Sequence, residues 1–338
     1  MKQIDYRILQ GDCLEVLKTL PDESVQTCVT SPPYFGLRDY GDAGQIGLES
    51  SPQEYVAKLV EVFAEVHRVL KTDGTCWLNL GDSYAFIGRT HRKESPGVGA
   101  KQELKARKTS IKWGDKPGEN FKWTIEAFGT VIKPKDLMMI PHRTAIALQE
   151  WGWHIRQDIV WHKPNPMPES VTDRCTKSHE YIFLLTKSDR YYFDNEAIRE
   201  RNVSSEQYKH TLKYSNVCAN HSERIALGTG QPNNANNVGI HSRATKEGRN
   251  KRSVWSIPVK PFLDAHFATF PEKLIEPCIL AGSREGDLVL DPFSGAGTTG
   301  VVSVKYGRKY LGIELNPDYI AMSEKRIKQT IMPLFETI

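Results

Sequence analysis

The chain has 338 residues, 39% hydrophobic and 25% charged, with a formal net charge of +4. That is an ordinary soluble composition with length for one large core plus an inserted module, and the global charge alone announces no polyanion partner. No stretch reaches the roughly 18 apolar residues of a membrane span, and Met1 to Asp5 opens no signal peptide, so a cytoplasmic protein is expected.

Tyr6–Leu9 reads as a short strand ending at Gly11-Asp12, and Leu14, Leu17 and Leu20 then repeat at helical spacing until Pro21. An acid at a strand's carboxyl end lies where open α/β sheets bind ligands, so Asp12 suits an adenine amine; it equally suits a helix N-cap, and the two roles can coexist. Val25–Val29 reads as a buried strand, stopped by Thr30-Ser31-Pro32-Pro33-Tyr34. Two prolines fix φ and remove two donors, leaving free carbonyl acceptors in a stiff loop. Ser31 and the Pro32 carbonyl suit the two hydrogens of an exocyclic amine on a planar base, with Tyr34 stacked on its ring. Bonds that pull such an amine towards tetrahedral geometry localise its lone pair and make it a nucleophile.

Phe35 to Gly41 has the glycines and aromatics of a pocket lid. A long amphipathic helix follows over Pro52–Leu70, with Tyr55, Leu59, Val62, Phe63, Val66 and Leu70 on its apolar stripe. Thr75–Leu80 is the next buried strand, ended by Gly81-Asp82. The alternation of strand and helix predicts a parallel sheet. From Phe86 to Lys135 the periodicity collapses, with twelve Lys/Arg against five Asp/Glu and Trp113, Phe121, Trp123 and Phe128 interleaved. Basic residues among aromatics suit phosphate contact and base stacking.

Regular structure resumes with a helix over Leu137–Trp151 and a strand over Ile155–Trp161, broken by Lys163-Pro164-Asn165-Pro166. Glu180–Leu185 and Arg190–Phe193 flank a Thr-Lys-Ser-Asp turn and read as a hairpin. Asn195–Pro258 is a second irregular stretch, asparagine-rich near Gly228–Gly239 and basic at Arg243, Lys246, Arg249, Lys251 and Arg252. Cys175 with His179 and Cys218 with His221 could supply zinc ligands, but His179 heads a strand and the second pair lies in a loop-like region, so no metal is expected. The six cysteines hold no CxxC and read as reduced thiols.

His266 to Pro271 precedes a helix over Glu272–Ala281. Leu288–Leu290 then leads into Asp291-Pro292-Phe293-Ser294-Gly295-Ala296-Gly297-Thr298-Thr299, a glycine turn between strand and helix that lets backbone approach a ligand closely. A pyrophosphate would be repelled by Asp291, which instead suits a cationic group. Glu314, 23 residues further on, ends the strand Tyr310–Ile313 and is placed to bind two ribose hydroxyls.

Thr30–Tyr34 resembles the catalytic tetrapeptide, (Asp/Asn/Ser)-Pro-Pro-(Tyr/Phe/Trp), of DNA amino-methyltransferases, and Asp291-Pro-Phe-x-Gly-x-Gly resembles their S-adenosylmethionine loop. The order, tetrapeptide first and donor loop last, resembles the β group. The resemblance implies an α/β fold with a Rossmann-like methyltransferase sheet, mostly parallel with one antiparallel edge strand, circularly ordered, with a target-recognition insert. The resemblance covers roughly Leu9–Leu80, Leu137–Phe193 and Ser253–Lys328, and with the basic composition between them the chain is expected to divide into a catalytic half of the core (1–85), a basic insert suited to DNA contact (86–135), the remainder of the sheet (136–194), a target-recognition region (195–258) and a donor-binding part (259–338).

The implied catalytic residues are Ser31, Pro32, Pro33 and Tyr34. Those implied for S-adenosylmethionine are Asp12 at its adenine, Phe267, Thr269 and Phe270 at its methionine part, Asp291, Pro292, Phe293, Gly295, Gly297, Thr298 and Thr299 in the loop, and Glu314 at the ribose. The partner implied is double-stranded DNA, from which a base is flipped; a homodimer and a cognate restriction endonuclease complete the expectation. Ser31 leans towards cytosine N4, since aspartate dominates among adenine enzymes. Adenine N6 is the alternative, and an RNA or protein amide methyltransferase a further one. Cytosine-C5 chemistry needs a Pro-Cys nucleophile, and Pro277-Cys278 falls inside a predicted helix ahead of the donor loop, the wrong order for it.

Overall fold

The structure, a computed structural model, describes residues 5–37, 44–85, 125–127, 130–133, 135–200, 248–259 and 269–336. Most of the basic stretch, most of the asparagine-rich stretch and Phe267 lie outside these residues. The chain divides into two compact units, one of Met1–Phe193 with Ser253–Ile338 and one of Asp194–Arg252.

The first unit is built on one sheet. Its strands are β1 (Tyr6–Gln10), β2 (Val25–Thr30), β3 (Leu70–Leu80), β6 (His154–His162), β7 (His179–Thr186), β8 (Val254–Ser256), β9 (Leu288–Asp291) and β10 (Lys309–Glu314). A separate hairpin pairs β4 (Ile125–Ala127) with β5 (Thr130–Ile132), inside a stretch whose sequence carries no strand signal. The order across the sheet is β1-β10-β9-β2-β3-β7-β6-β8. β1, β10, β9, β2 and β3 run parallel, and β7 runs against both its neighbours, β3 and β6.

The expected reversed strand is therefore present, but it lies inside the sheet rather than at its edge. Its predicted hairpin partner, Arg190–Phe193, is not a strand. Ser188 accepts from the Thr186 hydroxyl at 2.8 Å and donates to the Arg190 carbonyl at 2.6 Å, which turns the chain. Phe193 then stacks on Trp77, ring centroids 6.2 Å apart. The end of the predicted irregular stretch also differs: Val254–Ser256 adds to β6 in parallel, with Trp255 buried.

Helices α1 (Cys13–Lys18), α2 (Pro52–Val69), α3 (Ile140–Trp151), α4 (Glu272–Gly282), α5 (Thr298–Lys305) and α6 (Pro317–Glu336) accompany the sheet. α2 begins because Ser51 caps Glu54 N–H at 3.2 Å, the Glu54 carboxylate reaches back to Ser50, and Pro52 supplies a preset φ at the first helical position. Its stripe of Tyr55, Leu59, Val62, Phe63 and Val66 is fully buried, as the sequence periodicity requires. α4 packs so closely that a Cβ on Gly282 would stand 2.7 Å from the Thr27 and Thr75 hydroxyls, so only glycine lets this helix meet the sheet.

β2 and β9 are adjacent and parallel. The loops after them, the tetrapeptide and the donor loop, therefore leave the same edge of the sheet side by side, at the carboxyl ends where α/β sheets open a ligand crevice. In the second unit, Glu200 and Arg249 form an isolated antiparallel bridge, and the Glu200 carboxylate accepts from the Arg249 and Arg252 side chains at 2.9 and 3.0 Å.

Candidate active site

One cavity of about 920 Å³ opens at those strand ends. Ser31, Pro32, Pro33 and Tyr34 line it, as do Asp12, Thr269, Phe270, Pro292, Phe293, Gly295, Thr298 and Glu314. Tetrapeptide and donor loop thus share one space, at the upper end of the roughly 300–1,000 Å³ range of small-molecule sites.

Asp291, Gly297 and Thr299 do not line it. Asp291 is 1% exposed and its carboxylate is spent internally. One oxygen accepts from the Thr30 hydroxyl at 2.6 Å and from Phe293 N–H at 3.1 Å; the other accepts from the Thr299 hydroxyl at 2.7 Å. The expectation that Asp291 faces a cationic group is corrected accordingly: this acid binds the donor loop to the residue preceding the tetrapeptide. Burial pushes its carboxyl up to about 6, against the downward pull of those hydroxyls. Gly297, at φ +74°, serves packing, since a Cβ there would collide with Ser323.

Backbone contributes to the donor loop's cavity face at Gly295. Gly295, at φ +51°, donates its N–H to Glu314 Oε2 at 2.7 Å, and a Cβ on it would find nothing nearer than 3.8 Å, so glycine keeps this space open. The other Glu314 oxygen accepts from Asn316 N–H at 2.9 Å. Asp12 caps α1 by accepting from Leu14 and Glu15 N–H at 2.9 and 3.1 Å, and it borders the cavity at the same time.

At the tetrapeptide, the Pro33 carbonyl is taken by the Tyr55 hydroxyl at 2.9 Å. The Tyr34 ring lies against Gly81, where a Cβ would come within 2.4 Å of it. Its hydroxyl is held between Glu180 Oε2 at 2.8 Å and Asn79 Oδ1 at 3.1 Å, which fixes the ring plane.

A family model described as DNA methylase matches residues 25–325. The Type II methyltransferase M.Cfr9I of Citrobacter freundii is 44% identical over 324 residues, covering 95% of this chain and 87% of that protein. The chain belongs to the DNA methylase family. A second relative of this methylase, the Type II methyltransferase M.SmaI of Serratia marcescens, is 41% identical over 321 residues, covering 95% of this chain and 90% of the other. The fold is that of the PvuII DNA methyltransferase, described as cytosine-N4-specific, with a TM-score of 0.58, 19% identity, and 95% and 86% of the two chains covered. Family membership makes the protein a site-specific DNA amino-methyltransferase with S-adenosylmethionine as its methyl donor, in a family that spans N4 and N6 chemistry.

The methylase's far cavity wall was not legible in its motifs. Glu180 on β7 accepts from Tyr34 with one oxygen and pairs with Lys163 through the other, and the Lys163 ammonium sits 4.2 Å above the Trp161 ring. Burial together with Glu180 pushes the Tyr34 phenol well above its usual range, so it stays protonated and donates. Lys177 and His179, on the same wall, are both pulled down by burial. Tyr319 of α6 borders the donor side. The strand spacing of Glu180 and the proline run after Lys163 were the available signals, but neither says which way a side chain points. Cys278 is buried within α4 with its thiol on the Leu274 carbonyl, and it does not line the cavity. Among the described residues, no helix is long and apolar enough to cross a membrane.

Proposed function

We propose that the methylase modifies the N4 amine of a cytosine flipped from duplex DNA, with Ser31 and the Pro32 carbonyl accepting its hydrogens and Tyr34 stacked on its ring. The observation that carries this reading is the single cavity shared by Ser31–Tyr34 and the donor loop. With the Pro33 carbonyl occupied by Tyr55, the acceptors left at the amine are those of Ser31 and Pro32. Serine at position 31 offers a compact neutral oxygen, which leans towards cytosine; adenine N6 is the second reading.

S-adenosylmethionine, when bound, supplies a methyl group on a positively charged sulfur. The residues present fit it: Gly295 leaves room against the loop, Glu314 stands at the lip for ribose hydroxyls, Asp12 for the adenine amine, and Thr269 and Phe270 border the methionine end. What these residues contribute is placement in a desolvated pocket. A homodimer, a cytoplasmic setting and a cognate restriction endonuclease belong to the same reading, the last in keeping with the Type II designation of the relatives.

The test is to digest methylated duplex DNA to nucleosides and weigh the product, with RNA and protein as alternative acceptors. N4-methylcytosine is expected; N6-methyladenine would select the second reading, and no transfer to duplex DNA would defeat both. In parallel, Ser31→Ala should lower turnover about 10- to 100-fold while donor affinity by calorimetry changes less than about twofold. Unchanged turnover would remove Ser31 from the chemistry.

A further inference from the structure

The segment that closes the cavity opposite the donor loop is Lys163-Pro164-Asn165-Pro166-Met167-Pro168-Glu169, all but Pro164 on the cavity lining. Prolines fix φ at three of these positions and leave little backbone freedom between them. Asn165 then staples the segment to the strand end beyond β8, donating to the Val259 carbonyl and accepting from Val259 N–H, both at 2.9 Å. Glu169 braces the far end by accepting from Arg174 at 2.6 Å.

At the tip of this rigid support stands Met167, 85% exposed. Scattered exposed apolar residues are common on any surface and need no explanation. This one differs in position: it is the most exposed large hydrophobic among the described residues, it borders the cavity, and its backbone is held from both sides. Leu37, 53% exposed, also borders the cavity and its N–H returns to the Tyr34 carbonyl at 3.3 Å, but it is less exposed and lacks the flanking prolines.

We infer that Met167 is the wedge that enters the DNA stack and fills the gap left by the flipped base. The inference rests on the base-flipping reading above. Extruding a base forfeits stacking on both of its faces, a penalty of a few kcal/mol, and an apolar side chain inserted between the flanking pairs recovers part of it. Methionine suits that gap because its unbranched, polarisable chain adapts to flat surfaces. A pre-braced loop inserts its tip without first losing backbone entropy.

The experiment uses the full-length protein and a duplex carrying its mapped site, with the target base either normally paired or opposite an abasic gap that spares the cost of unpairing. Met167→Ala and the similarly sized polar Met167→Gln should lose about tenfold in single-turnover rate on the paired duplex, since 1.4 kcal/mol of lost stacking is a factor of ten, and less than about twofold on the gapped one. Met167→Leu should match the wild type on both. Fluorescence of pyrrolo-cytosine at the target position, read without methyl transfer, should show reduced flipping in the Ala and Gln variants. S-adenosylmethionine binding by calorimetry should not move.

Equal losses on both duplexes, or none, would overturn the assignment. So would a paired-only loss in Leu37→Ala with Met167→Ala behaving as wild type. Failure of the wild type to methylate duplex DNA at all would instead overturn the reading on which the wedge depends.

Discussion

The two sides of the cavity are held by different forces. Behind the donor loop, one carboxylate sealed from water gathers two hydroxyls and a backbone amide, joining residues 261 positions apart in the chain. Across the cavity, the segment from Lys163 to Glu180 is held by a partly exposed ion pair, a cation over an indole, and prolines. The first arrangement resists water and fails as a unit. The second is a set of separable parts, the charged ones weakened by screening, and suits a surface that must meet a large charged substrate.

The comparison is broken most severely at Asp291. Asp291→Ala orphans the Thr30 and Thr299 hydroxyls in a dry site and should cost about 3–5 kcal/mol in urea unfolding, with weakened donor binding by calorimetry. A loss below about 1 kcal/mol would mean that the node is not what couples the loops.

The next effect is read by pH. In the folded enzyme Asp291 keeps its proton up to about 6, against 3.8 for an ordinary aspartate. Between those values the folded state binds the extra proton, so this contribution is complete below about pH 4 and is lost as pH rises through about 6, a span worth about 3 kcal/mol. Asp291→Asn should flatten that part of the stability profile. On the opposite wall, Glu180→Gln leaves Lys163 without its counter-charge, and a pair this incompletely buried should cost only about 1–2 kcal/mol in the same assay. Turnover should fall several-fold as the Tyr34 ring loosens. Smallest of all, Lys135→Ala removes a pair with Asp173 whose side chains are 81% and 54% exposed, and the urea midpoint should not measurably move.

These two walls also differ in how far they could be read from the amino-acid string. Ser31–Tyr34 and the loop from Asp291 are short runs in which chemistry and backbone geometry are written together, so both were found, and their meeting follows from β2 lying beside β9. The direction of the Asp291 side chain was misread because spacing places a residue at a strand end without saying whether it turns inward. Thr30, its partner, carries no signal of its own. Glu180 and Lys163 are single charges on a strand and a breaker, and only the pairing of β7 with both β3 and β6 brings them to Tyr34. That pairing differs from the expected one: a local turn at Ser188 imitates a hairpin, while the true partners are β6, the strand just upstream, and the distant β3.

The join between Thr30 and Asp291 has a consequence for synthesis on the ribosome. β2 emerges 261 residues before the strand that covers its flank, and at about 5–20 residues per second that interval is roughly 13–50 s. Throughout it, a strand that the finished fold buries at every position has one hydrogen-bonding edge unclaimed, which makes the nascent chain a natural client for chaperones. It also means that no translation product ending before Asp291 can carry an assembled catalytic centre, so methylation begins only once the donor loop has been made.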